Sequence, residues 1–127
     1  MSTDFSPVRG LVIIAAQVHG PDGDALARLA LDTGALGTLI SPAILITVGY
    51  DPSQATEHVS IVTASSTERV PRILARQLTA LGQTQSDVTI QCHALPAATK
   101  VDGVLGLDFI RGQRLGVDFR TGRVTLE

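Results

Sequence analysis

A carboxylate at the end of an apolar run is the first place in this sequence where chemistry is possible. Leu29-Ala30-Leu31 leads into Asp32-Thr33-Gly34-Ala35, with Leu36 close behind. Burying an unpaired carboxylate is costly. A strand of Leu and Ala therefore carries an acid at its end only when it delivers that acid to a polar site. Gly34 permits a sharp turn and the close approach of another backbone. Thr33 adds a hydroxyl that can both donate and accept at the base of the turn. Hydrolysis by water needs one group to take a proton from water and another to give one to the group under attack. Two carboxylates sharing a proton can do both.

The chain holds one acid in such a turn, so the second has to be sought. Asp108 sits where a short helix begins and reads as a first-turn acid. Asp102 precedes Gly103 in a turn pair, and Asp118 lies on the outward parity of its strand. Other chemistries find less support. His19, Asp22 and Asp24 cluster at a hairpin tip without a second ligand group, and His58 and His93 have no ligand spacing, so no metal is assigned. A Gly-x-Ser-x-Gly nucleophile turn and a phosphate-cradling glycine loop are both absent from the sequence, and no cofactor is expected. Cys92 lies in an alternating strand and reads as a small core residue. A glycosidase pair of Asp32 and Asp108 is disfavoured, because sugar sites carry aromatic platforms and the aromatic residues are Phe5, Tyr50, Phe109 and Phe119 alone.

The elements that must position Asp32 follow from pattern. Residues 1–7 are polar and read as a loose tail. Val8 to Val18 and Ala25 to Leu31 read as strands of a hairpin, joined by the turn-rich stretch from His19 to Asp24. Thr38 to Ile40 is a short strand. Ser41 and Pro42 start a helix as N-cap and first helical residue, and Gly49 ends it. Glu57 to Thr63 and Val70 to Leu78 form a hairpin over residues 57–78. In its second strand Val70, Arg72, Leu74, Arg76 and Leu78 share one face. Leu81 to Ser86 is a turn, and Asp87 to Leu95 alternates as a half-buried strand, with Val88, Ile90 and Cys92 on the apolar face. Val104-Leu105-Gly106 is a short buried strand, Leu107 to Arg111 a brief helix, and strands at 113–119 and 124–127 close the chain.

The Asp-Thr-Gly-Ala turn with its apolar flanks resembles the active-site signature of aspartic proteases, and more narrowly of the retropepsin group. Val104-Leu105-Gly106-Leu107-Asp108-Phe109-Ile110, roughly seventy residues later, is similar to that family's apolar Gly element and its following helix. The resemblance covers roughly residues 10 to 127. It implies an all-β, closed acid-protease barrel with one or two short helices and one half-site per chain. It implies a bacterial-type, single-domain member spanning 1–127. Asp32 becomes the catalytic residue and Thr33, Gly34 and Ala35 its supporting turn. Val104, Leu105 and Gly106 become the structural Leu-Gly element. The 57–78 hairpin takes the place of the flap, with Thr63, Ala64, Ser65 and Ser66 at the substrate. Unlike retroviral flaps, this tip has no glycine.

One acid per chain then implies a homodimer with a twofold axis between two Asp32 side chains, with Thr33 bonding across it and the last strand, Val124 to Glu127, available to the interface. The expected activity is that of an aspartic endopeptidase on peptides or proteins, with a catalytically idle peptide-binding dimer as the alternative. Composition fits this. At 127 residues the chain makes one domain. A net charge of -2 gives no case for nucleic acid or an anionic membrane. One cysteine excludes an internal disulfide and points to a reducing, cytoplasmic setting. The apolar run from Leu11 to Ala16 is too short to span a bilayer.

Overall fold

Strand alternation and turn residues set the elements, and the computed structural model describes them over residues 2–7, 10–63 and 65–127. The first half contains Ser2–Asp4 (β1), Ile13–Gly20 (β2), Gly23–Leu31 (β3), Leu39–Ile40 (β4), the helix Pro42–Thr47 (α1), and Glu57–Val62 (β5). The second contains Thr67–Ala80 (β6), Gln83–Cys92 (β7), Gly103–Leu105 (β8), the helix Leu107–Ile110 (α2), Leu115–Asp118 (β9) and Arg123–Leu126 (β10).

Six strands close into a mixed barrel. β2 pairs antiparallel with β3 from Ile13↔Ala30 to Gly20↔Gly23. β3 runs parallel to β8, β8 antiparallel to β4, and β4 parallel to β7. β7 and β6 form a long antiparallel pair, and β6 returns to β2 to complete the ring. β5 pairs only with β6 and so projects as a hairpin arm. Closure removes the open edges that β2 and β6 would otherwise present. Inside, Ile14, Val18, Leu29, Ile40, Leu78, Ile90 and Leu105 are fully buried, with Leu45 of α1 and Phe109 of α2 capping the barrel. Each such side chain contributes about 1.5–3 kcal/mol of burial. Cys92 belongs to this core, and burial pushes its thiol up from the ordinary range. No helix among the described residues is long and apolar enough to cross a membrane.

The expected all-β barrel with two short helices is therefore the observed fold. Pro42 opens α1 and Gly49, at φ +101°, follows its end, although the Ser41 side chain makes no capping bond. Several local expectations are corrected. The stretch expected as a loose tail is ordered where it is described, over residues 2–7: Ser2–Asp4 pairs with Arg123–Thr125, and Phe5 is buried edge-on against Phe119 with ring centroids 5.7 Å apart. Polar side chains hid that strand because its partner lies at the other end of the chain. β10 is thereby the middle strand of the sheet β1-β10-β9, with both of its edges filled within the chain. The hairpin expected to start at Val8 begins at Ile13, and Val8 itself lies outside the described residues.

The turn expected over residues 81–86 contracts to two residues. Leu81 (φ 52°) and Gly82 (φ 76°) both take positive φ, as a type I′ hairpin turn requires, so β7 begins at Gln83. The single-face reading of β6 also fails. Leu74 is 65 % exposed whereas Leu78 is fully buried. The ladder is interrupted where Arg76 faces Asp87, the latter at φ 55°, between the pairs Ala75↔Val88 and Gln77↔Ser86. There the Arg76 N–H donates to the Tyr50 hydroxyl at 2.8 Å, and that hydroxyl donates to the His19 carbonyl at 2.7 Å. A side chain distant in sequence thus replaces a ladder bond and flips the inward parity.

Candidate active site

Strand pairing carries Asp32 out of the barrel. The Leu31 N–H donates to the Val12 carbonyl at 2.8 Å, and the Asp32 N–H to the Leu105 carbonyl at 3.1 Å. β3 is thus held between the two chain segments that flank it up to the residue that bears the acid. The chain then turns. Asp32 Oδ1 accepts from the Gly34 N–H at 2.8 Å, and the Asp32 carbonyl from the Ala35 N–H at 3.2 Å. These bonds fix the carboxylate over its own turn and leave Asp32, Thr33 and Gly34 exposed. Ala35 is half-buried.

Beneath the turn runs the segment after β8. The Leu107 N–H donates to the Ala35 carbonyl at 2.9 Å and the Asp108 N–H to the Leu36 carbonyl at 3.2 Å. The approach is so close that a Cβ on Gly106 would lie 2.6 Å from both the carbonyl carbon and the oxygen of Gly37. Val104, Leu105 and Gly106 therefore form the floor of the Asp32 turn, with Leu105 and Gly106 buried.

Asp108 supplies the tie between the two segments. Its Oδ1 accepts from the Thr38 hydroxyl at 2.8 Å and from the Phe109 N–H at 2.9 Å, and its Oδ2 accepts from the Thr38 N–H at 3.1 Å. The Thr38 hydroxyl in turn accepts from the Gly106 N–H at 3.2 Å. Asp108 lies in the first turn of α2, as its sequence position suggests, and both its oxygens are engaged there. Thr38 is the residue that sequence reasoning missed. It is fully buried, and its signal was a lone hydroxyl in the run Thr38-Leu39-Ile40. Asp108→Ala should leave the buried Thr38 donors without their acceptor and lower stability by about 1–3 kcal/mol, far more than an exposed acid ordinarily costs. Urea denaturation checks this, and an unchanged midpoint contradicts it.

Asp102, Asp118 and Asp24 are also engaged in structure. Asp102 Oδ2 accepts from the Arg28 N–H at 2.8 Å, which joins β3 to the approach of β8. Asp118 Oδ1 accepts from the N–H groups of Thr121 and Arg120, and these bonds hold its carboxyl below the usual range. His19 bonds to Asp24 at 2.9 Å and to Thr79 at 3.0 Å.

Opposite the Asp32 turn stands the β5–β6 hairpin. Between Gly34–Gly37 and Ser60–Val62 lies a cleft of about 380 Å³, floored by Val104 and Gln91. Leu36 and Val62 border it and are 78 % and 85 % exposed. The tip closes without glycine. The Thr63 N–H donates to the Ser66 carbonyl at 2.7 Å, and the Thr63 hydroxyl accepts from the Ser66 N–H at 3.1 Å while donating to the Ser66 carbonyl at 3.0 Å. Thr63 and Ser66 are thus bonded to each other across the turn. Ser65 lies between them and lines a neighbouring space rather than this cleft, and Ala64 lies outside the described residues.

The geometry agrees with comparisons to known proteins. A family model described as aspartyl protease matches residues 14–109, which include both the Asp32 turn and the Gly106 element. The fold is similar to the crystal structure of a retropepsin-like aspartic protease from Rickettsia conorii. That match has a TM-score of 0.73 at 15 % identity and covers 99 % of this chain and 88 % of that one. No curated protein sequence matches significantly. With an Asp-Thr-Gly turn seated on a buried Leu-Gly strand inside a closed six-strand barrel, this chain belongs to the aspartyl protease family.

Proposed function

We propose that the chain is one half of an aspartic endopeptidase whose site is completed by a second copy, with Asp32 as the catalytic residue. One observation carries this reading: Asp32 is exposed at the mouth of the barrel, while Asp102, Asp108 and Asp118 are bonded into structure elsewhere. A lone carboxylate cannot act as base and acid at once. Two Asp32 carboxylates across a twofold axis can, because like charges about 3 Å apart cannot both ionise and so share a proton, as in aspartic proteases generally. One carboxylate takes a proton from water as its oxygen bonds to the scissile carbonyl carbon. The other gives its proton to the carbonyl oxygen. The tetrahedral diol then collapses: one hydroxyl returns its proton to the deprotonated carboxylate, the C–N bond breaks, and the amine leaves with the proton that had come from water, so the pair again holds one proton. The pair titrates as a unit.

The surface supports the dimer. Leu36 exposes apolar area beside Asp32, where a second copy would cover it. Exposed Thr33 stands where a bond to the partner turn is expected. Because β10 is already the middle of its sheet, a terminal-strand interface would use the free edge of β1. The substrate, an extended peptide, lies between the Asp32 turns and the β5–β6 hairpins, which act as flaps through Thr63, Ala64, Ser65 and Ser66. The lone, buried Cys92 supports a reducing, cytoplasmic setting. A self-bonded flap tip favours a second reading, a dimer that holds peptides without cutting them.

Dilution tests the shared site. Below the dimer dissociation constant, the dimer fraction falls in proportion to concentration, so each tenfold dilution should lower peptide cleavage per chain by about tenfold. Sedimentation over the same range should show the dimer giving way to monomer. Cleavage per chain that is constant while the protein is monomeric overturns the proposal. Binding without turnover at every concentration favours the second reading.

A further inference from the structure

We propose that the outer end of the cleft is the subsite that sets peptide preference, and that it takes a long basic side chain, lysine or arginine, through Glu68. This rests on the peptidase reading above. Beyond the Asp32 turn the cleft opens into a second space of about 630 Å³. The two spaces share Leu39, Ile61 and Val62. Ile61 and Glu68 are direct cross-strand partners in the flap hairpin, so their side chains leave it on the same face, toward this space. Across from them stand His93, Leu95 and Pro96, on the segment that leaves β7.

Glu68 is the one carboxylate among the described residues lining this space, and His93 is the one other titratable group. Nε2 of His93 lies 3.3 Å from Oε2 of Glu68. Arg69, next along β6, pairs with Ser60 and lies on the opposite face of the hairpin. The remaining walls are aliphatic or small. An apolar space with one acid on its wall matches a side chain that is apolar along its stem and cationic at its tip. The methylenes lie over Ile61, Val62 and Leu95. The ammonium or guanidinium reaches Glu68, where a guanidinium can bond bidentately. The His93 imidazole lies against Glu68 in the lining of this space. A peptide carboxylate in the same space would meet Glu68 as a like charge.

The test is a set of peptides that differ at one position, read as ratios of kcat/KM. Wild type should favour arginine or lysine over glutamate by about tenfold at one position along the peptide. Glu68→Gln should bring that ratio to within about threefold, and Glu68→Lys should reverse it. A wild-type ratio of one, or a preference for arginine that survives Glu68→Gln, overturns the proposal. Should wild type cleave no peptide, the peptidase reading has failed, and fluorescence anisotropy with the same peptides decides the subsite. Tighter binding of the arginine peptide, lost in Glu68→Gln, upholds it; equal binding of the arginine and glutamate peptides, or no binding, overturns it.

Discussion

Asp32→Asn should abolish cleavage while leaving the protein folded and dimeric. The carboxamide has the shape of the carboxylate, and its oxygen can still accept from the Gly34 N–H, which lies 2.8 Å from Oδ1. What it loses is the ability to hold and release a proton. In the proposed homodimer one substitution removes both members of the pair, so the rate should fall by about 10²–10⁴-fold, the usual span for general acid–base catalysis. Stability should change by less than about 0.5 kcal/mol, because Asp32 is exposed and its turn is kept. Peptide digestion over a pH series, alongside denaturation and sedimentation, separates the two effects. Mixing gives a sharper result. Wild type mixed with a ninefold excess of the variant should lose about nine-tenths of its activity, because chains pair at random and most wild-type chains take an inactive partner. Full cleavage by the variant alone assigns the activity to another site. Wild-type activity untouched by the excess contradicts a site shared between chains.

Gly106→Ala should damage both stability and activity. The added carbon would meet backbone rather than a movable side chain: 2.6 Å to the Gly37 carbonyl carbon and oxygen, and 3.0 Å to the Ala35 carbonyl oxygen. One of the two segments must move. Either movement strains the bonds from Leu107 to Ala35 and from Gly106 to Thr38 that seat the Asp32 turn. Overpacking of this kind costs about 1–3 kcal/mol. Activity should fall further than stability alone accounts for, because a displacement of about 1 Å in a reacting group is enough to lose two orders of magnitude in rate. Gly10→Ala is the comparison, since a Cβ there meets nothing within 4 Å. Urea midpoints of the two variants and wild type decide the matter. A Gly106→Ala protein as stable as Gly10→Ala would mean that the close crossing does not hold the turn.

Both variants act on features that differ in how far the sequence exposes them. Asp32-Thr33-Gly34 is legible because its chemistry is local. An acid at the end of an apolar strand, a glycine and a hydroxyl lie within three residues, and the bonds that shape the turn run between Asp32, Gly34 and Ala35 themselves. The same holds for α1, opened by Pro42 and followed by Gly49, and for the inward alternation of Val88, Ile90 and Cys92. Each is decided by neighbours a few residues apart, where propensity and periodicity act.

The sequence by itself determined the class of fold, the acid and the strand that carries it. Only the tertiary structure decided what holds that acid in place. Thr38 and Asp108 meet across seventy positions of chain, Ser2–Asp4 finds its strand partner at the opposite terminus, and the Tyr50 hydroxyl replaces a ladder bond at Arg76. In each case a backbone or buried polar group had to be satisfied, and which distant group satisfied it depended on the closure of the barrel. Such partners leave no periodic trace, because hydrogen bonding obliges a group to be paired without saying with whom.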